Sequence, residues 1–229
     1  MKLAKDRVDI GLATNNLQPM LRFWQDEAGI PFDHLLKTGP GNDQHRHDAL
    51  GSVLKINHRE APIVDQPASG YLELLVATEG LAEPKSLGDP DGNKVTLVPK
   101  GWHSIDQIAI RLGVRDLEAH RRFYVDALGL AEVPYPHGAA FQAGQTLLLV
   151  QEDPNAPSDA QMGGRGWRYI TFQVFKVDQE HAAILAAGGR EAMAPRTLGT
   201  TARISMVRDP DGNWIELSQR ASITGSLEP

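Results

Sequence analysis

Asp209-Pro210-Asp211-Gly212-Asn213-Trp214-Ile215-Glu216-Leu217 decides the fold, because the chain carries this pattern twice. The first copy is Asp89-Pro90-Asp91-Gly92-Asn93, followed by Lys94-Val95-Thr96-Leu97-Val98, and the spacing between the copies is 120 residues (209 − 89). Aspartate first, proline second and glycine fourth is the chemistry of a type I turn. The alternating run after each turn reads as a strand, so each copy predicts the end of a hairpin. Alternation puts Ile215 and Leu217 on one face of that strand and Trp214, Glu216 and Ser218 on the other.

Upstream, Val8-Asp9-Ile10-Gly11-Leu12 is mirrored by Asp106-Gln107-Ile108-Ala109-Ile110, and a helix follows each. The first helix starts at Asn16 as N-cap, tolerates Pro19 in its first turn and stops at Gly29. The second starts at Asp116 and stops at Gly129. Strand-like runs fill 32–36, 51–57 and 71–77 in the first half, and 131–134, 146–151 and 169–174 in the second. A third helix over 179–187, with Asp178 as cap, occurs only in the second half. Glu73 to Thr96 spans 23 residues (96 − 73), whereas Tyr169 to Glu216 spans 47 (216 − 169). The first half therefore lacks about one helix and one strand before its last hairpin.

Composition narrows the function classes. The 229 residues are 41% hydrophobic and 23% charged, which excludes a disordered or collagen-like chain. A formal net charge of −6 argues against a nucleic-acid binder. No apolar run approaches the ~20 residues of a membrane helix. Cysteine is absent, so disulfides, thiolate ligands and a thiol nucleophile are excluded. With no apolar stretch of signal-peptide type behind Met1, the expected location is cytoplasmic. Gly39-Pro40-Gly41 and Gly163-Gly164-Arg165-Gly166 lack the spacing of a phosphate loop, so no nucleotide cofactor is expected. No Gly-x-Ser-x-Gly elbow occurs, which leaves a hydrolase triad unsupported.

Taken in order, Ile105 to Leu112, Asp116 to Tyr124, Gly129-Leu130, Gly166 to Val174 and Asp209 to Leu217 resemble the vicinal oxygen chelate superfamily. That group includes glyoxalases, extradiol dioxygenases, methylmalonyl epimerases and bleomycin-resistance proteins. The resemblance implies an α+β fold of paired βαβββ modules forming two cup-shaped domains, the first abbreviated. Residues 1–100 would be the abbreviated domain, 103–219 the complete one and 220–229 a C-terminal tail. It also implies metal ligands on the first, fourth, fifth and eighth strands of one domain, commonly His or Gln, Glu, His and Glu. In the second half these positions are Gln107, Leu148, Tyr169 and Glu216, of which only Gln107 and Glu216 are usual ligands. In the first half they are Asp9, Lys55 or its neighbours, Glu73 and Thr96. Neither set has the His-His-carboxylate face of a non-haem iron dioxygenase, so that reading ranks last.

Glu216 is the leading catalytic candidate, as a carboxylate aimed into a partly apolar cup. Tyr169 is a second, able to orient or protonate a substrate oxygen. Gln107 with Glu216 is the candidate pair for a divalent ion. Lys55 and Asn57 share a strand face, which is either a cup wall suited to a carboxylate or enolate or the sheet's outer, wet face. His45 and His47 also share a face, and His47, Asp9 and Glu73 complete the binding candidates. The expected function is a lyase or isomerase acting on a small carbonyl-bearing or enolate-forming molecule, with metal assistance an option. The alternative is a metal-free protein that sequesters a small molecule, favoured if Trp167 or Trp214 faces a cup. Free edge strands leave room for a homodimer, and a small-molecule substrate is the expected partner.

Overall fold

The computed structural model describes residues 1–228. The first half runs β1 (Asp9–Thr14), α1 (Leu17–Arg22), β2 (Phe32–Gly39), β3 (Asn42–Ala49), β4 (Ser52–Arg59), β5 (Tyr71–Thr78), β6 (Lys85–Gly88) and β7 (Lys94–Pro99). The second runs β8 (Ile108–Val114), α2 (Leu117–Arg122), β9 (Ala131–Val133), β10 (Ala139–Ala143), β11 (Thr146–Glu152), β12 (Gly166–Gln173), α3 (Val177–Ala186), β13 (Arg190–Leu198), β14 (Ala202–Arg208) and β15 (Trp214–Arg220). A short α4 (Ala221–Thr224) follows. Helices α1 and α2 each continue into a π-helical turn, Phe23–Glu27 and Phe123–Ala127. Where the second half has β12-α3-β13-β14-β15, the first has only β5-β6-β7, so α3 and β13 are the parts that the first module lacks. Among the described residues no helix is long and apolar enough to cross a membrane.

Both Asp-Pro-Asp-Gly segments are turns held by their own side chains. Asp209 Oδ1 accepts from the Asn213 N–H (2.8 Å) and Oδ2 from Asn213 Nδ2 (2.9 Å). Asp89 accepts from Asn93 in the same way. Gly92 and Gly212 sit at φ 85° and 84°, a conformation that a side chain would strain. Asp116 caps α2 by accepting from the Ala119 N–H at 2.9 Å. Asn16, expected to cap α1, makes no such bond, and Thr14 Oγ1 takes the Asn16 N–H instead. Asp178 lies inside the first turn of α3 rather than at its cap, and its carboxylate accepts from Arg203 on β14 (Nη2–Oδ1 2.7 Å).

Neither half closes a sheet alone. One eight-stranded sheet has the order β13-β14-β15-β12-β1-β4-β3-β2, and a seven-stranded sheet has the order β6-β7-β5-β8-β11-β10-β9. Each sheet therefore joins strands of both halves. The joints are antiparallel: β1 against β12, with Asp9 opposite Thr171 and Gly11 opposite Tyr169, and β5 against β8, with Glu73 opposite Arg111. The ligand positions expected within one half are consequently divided between two hollows.

Alternation fixes which face is core. Ile10, Leu12, Leu54, Ile56, Ile170, Phe172, Ile215 and Leu217 of the first sheet point to the helices, and meet Leu74, Val76, Ile108, Ile110 and Leu148 of the second in one continuous cluster around Trp24 and Tyr124. Each such side chain contributes roughly 1.5–3 kcal/mol on burial. The opposite face of the second sheet carries a smaller apolar cluster that includes Leu75, Ala109, Leu147 and Leu149, with Trp102 and Tyr135 against it. The opposite face of the first sheet is polar.

Candidate functional site

That polar face is assembled from neighbouring strands. Asp9 and Gly11 come from β1, Lys55 and Asn57 from β4, Tyr169 and Thr171 from β12, and Trp214 and Glu216 from β15. Thr171 is the register partner of both Asp9 and Glu216, and Gly11 is the partner of Tyr169 and Lys55. The residues thus meet at the centre of the sheet.

Lys55 is 3% exposed, and its ammonium donates to Thr171 Oγ1 at 2.6 Å and to Glu216 Oε2 at 3.3 Å. Thr171 Oγ1 in turn donates to the same Glu216 oxygen at 3.2 Å. Burial pulls the Lys55 pKa down, while the Glu216 and Asp9 charges pull it back. The Glu216 side chain is 13% exposed, so it remains within reach of a ligand. Asp9 is fully engaged by Lys5 Nζ (2.7 Å), the Val53 N–H (2.8 Å) and Gln173 Nε2 (3.2 Å).

Tyr169 lies across β1, and only glycine at position 11 permits this: a Cβ there would stand 2.2 Å from the ring. Its oxygen accepts from Asn57 Nδ2 (3.2 Å) and Gln44 Nε2 (3.3 Å), and its proton is directed at Asn57 Oδ1 in a long contact of 3.5 Å that a ligand oxygen could replace. Burial, reinforced by the Glu216 charge, raises the phenol pKa, so the group serves as a hydrogen-bond donor and not a base. The Lys55 ammonium also stands 5.1 Å from the ring centroid. Beside Tyr169 and Asn57 opens a cavity of about 640 Å³, walled by Met162, Met193, Met206 and Trp214 and by Arg59, Arg168 and Arg196.

The structure gathers Glu216, Tyr169, Lys55, Asn57 and Asp9 on this face of the first sheet, with Tyr169 and Asn57 lining the cavity, and places the other candidates elsewhere. Gln107 belongs to the second sheet's side, where its Nε2 donates to Ala49 O, Leu50 O and Ser52 Oγ and its Oε1 accepts from Thr146. It ties the β3–β4 turn to the second sheet and does not join Glu216. Glu73 lies on β5, paired with Arg111 (2.7 Å) and Lys94 (3.4 Å) and hydrogen-bonded by Thr96. His47 is opposite Leu54 on β3 and therefore shares the core face. It is fully buried against Phe32, neither ring nitrogen has a partner among the described residues, and burial lowers its pKa to about 4. Trp167 packs on Trp24 in the core, whereas Trp214 walls the cavity with Arg208 stacked on its ring at 4.2 Å.

Thr171, Gln44 and the buried Arg46 were absent from the sequence-based candidates. Alternation from Tyr169 puts Thr171 on the same face, and Gln44 and Arg46 fall on the face opposite to that of His45 and His47. Arg168 gives no such signal, because the register jumps from Gly11↔Tyr169 to Leu12↔Trp167 and leaves Arg168 as a bulge.

The donor set does not fit a divalent ion. Among the described residues no three His, Cys, Asp or Glu side chains form a potential metal cluster. At the centre of the first hollow the Lys55 ammonium already holds the Glu216 and Thr171 oxygens. A divalent ion about 4 Å from that ammonium would be repelled by roughly 8 kcal/mol at an effective dielectric near 20.

Residues 104–217 match the model of the Glyoxalase/Bleomycin resistance protein/Dioxygenase superfamily. That half of the chain belongs to this superfamily, the vicinal oxygen chelate group its motifs resemble. The fold of the whole chain is similar to that of a single-residue variant of glyoxalase I from Zea mays, with a TM-score of 0.79 and 14% identity over 99% of this chain and 96% of that one. Unaltered glyoxalase I from Zea mays gives 0.77 and 14%, over 96% and 95%. A candidate dioxygenase from Bacillus subtilis gives 0.69 and 13%, over 96% and 86%. At these identities the likeness is one of fold. No curated protein matches the chain.

Proposed function

We propose that the chain is an enzyme of the lyase or isomerase kind, which moves a proton on a small enolisable carbonyl compound held in the first sheet's hollow. The observation that carries the reading is the Lys55–Thr171–Glu216 cluster lying beside the Tyr169 phenol, whose proton is held only by a 3.5 Å contact to Asn57, at the edge of a 640 Å³ cavity. Tyr169 would donate its proton in a hydrogen bond to the substrate oxygen. The Lys55 ammonium, held in a low-dielectric setting, would stabilise the negative charge that develops there. Glu216 Oε2 carries Lys55 and Thr171, which leaves Oε1 to take the proton from the adjacent carbon. No step is routed through a metal.

The test is proton exchange. Enolisable 2-oxo acids and hydroxyketones are incubated with the protein in deuterium oxide and followed by NMR. Deuterium should enter the α-carbon with the native protein and at least about a hundredfold more slowly with Glu216→Gln. Equal rates in both would remove the reading. One observation favours a second function, sequestration without turnover: the cavity wall is rich in methionine, which adapts to irregular ligands. Tight binding with no exchange for any ligand would select it.

A further inference from the structure

The cavity beside Tyr169 carries a charge pattern that the proton-transfer reading does not use. Arg59, Arg168 and Arg196 line it, and no aspartate or glutamate does. This occurs in a chain whose formal net charge is −6. Arg168 is 2% exposed, and it arrives here only because the bulge in β12 takes it out of alternation. Its Nη1 donates to Pro67 O at 2.8 Å and Gln161 O at 3.3 Å, its Nη2 donates to Arg165 O, and its Nε has no partner among the described residues. A Cβ on Gly164 would stand 2.3 Å from this guanidinium, so the loop is shaped around it. Arg59 reaches Gly163 O of the same loop at 3.4 Å, and burial first and the Arg59 charge second disfavour the charge on Arg168. Bringing like charges together, one of them buried and none matched by a carboxylate, costs stability unless an anion completes the set.

We infer that the ligand of this hollow is an organic anion, with a carboxylate or phosphate head received by Arg59, Arg168 and Arg196 and an apolar body lying on Met162, Met193 and Trp214. This inference rests on the same hollow being the ligand site. Guanidinium forks suit both head groups, which share a planar or tetrahedral array of acceptor oxygens. The apolar wall would place the body so that the opposite end meets Tyr169 and Asn57.

The test is a ligand-observed NMR titration of the intact protein with phenylpropionate, phenyl phosphate and the neutral phenylpropanol. Both anions should bind at least about tenfold more tightly than the alcohol, and the preference should shrink as salt rises from about 0.05 to about 0.5 M. The tighter of the two anions identifies the head group. Arg59→Gln/Arg196→Gln changes partly exposed positions and leaves the buried Arg168 in place. It should lose about tenfold in anion affinity with the alcohol unchanged. Equal binding of anion and alcohol, an anion preference that survives in the double variant, or no binding of any probe at about 10 mM would overturn the inference. Anion preference without deuterium exchange would sink only the catalytic reading, and exchange on neutral ketones with no anion preference would sink only this one.

Discussion

Gly11 and Lys55 are the residues on which the hollow depends most directly. Gly11→Ala drives a methyl group into the Tyr169 ring, and overpacking of this sort costs about 1–3 kcal/mol. Urea unfolding should show that loss, and Tyr169→Ala in the same background should recover part of it. Lys55→Met strands the Glu216 carboxylate in a nearly closed setting. Removing one partner of a buried pair typically costs about 3–5 kcal/mol, discounted here because Glu216 keeps some exposure and the Thr171 hydrogen bond. Glu216→Gln added to Lys55→Met should restore most of the stability. A double variant as unstable as Lys55→Met alone would mean that the pair is not the source of the loss. At this scale alternation shows that Lys55 and Asn57 share one face of their strand, as Trp214 and Glu216 share one face of theirs, but which face lines the hollow depends on pairing. Arg168 was hidden by a bulge, which local sequence does not announce.

The strand β3 shows how one element can carry two chemistries. Gln44 and Arg46 face the hollow, while His47 between them and the turn faces the core. The spacing of His45 and His47 revealed a shared face but not which face, because that depends on pairing with β4. His47 has a folded pKa of about 4, below its ordinary 6.5. The unfolded chain therefore takes the proton first as pH falls. Stability is full above pH 6.5, declines between 6.5 and about 4, and levels below that as far as this group is concerned. Denaturant melts of His47→Leu across that window should be flatter than those of the native chain. Identical slopes would show that another group sets the acid sensitivity.

For the molecule as a whole, strand exchange is the organising fact. The repeated turns disclosed the modules, and the shortened span from Glu73 to Thr96 disclosed the missing α3 and β13. What the repeats did not disclose was partnership, because joining β1 to β12 and β5 to β8 is a non-local choice with no local signature. Gln107 and Glu73 were for that reason grouped with the wrong partners. Because each sheet needs both halves, residues 1–100 and 103–229 expressed separately should lack cooperative melting and regain it when co-expressed. A half that melts cooperatively alone would contradict the exchange. Gln107→Ala should cost about 1–3 kcal/mol by freeing the β3–β4 turn, while leaving anion binding in the first hollow intact.

The Lys55 ammonium occupies the centre of the first hollow, against Thr171 and Glu216. Calorimetric titration with manganese and zinc, backed by elemental analysis, tests this on three proteins: native, Lys55→Glu and Glu216→Ala. The native chain should bind no stoichiometric ion, and Lys55→Glu, which adds a carboxylate beside Asp9 and Glu216, should bind one. One equivalent bound by the native chain and lost in Glu216→Ala would contradict the account.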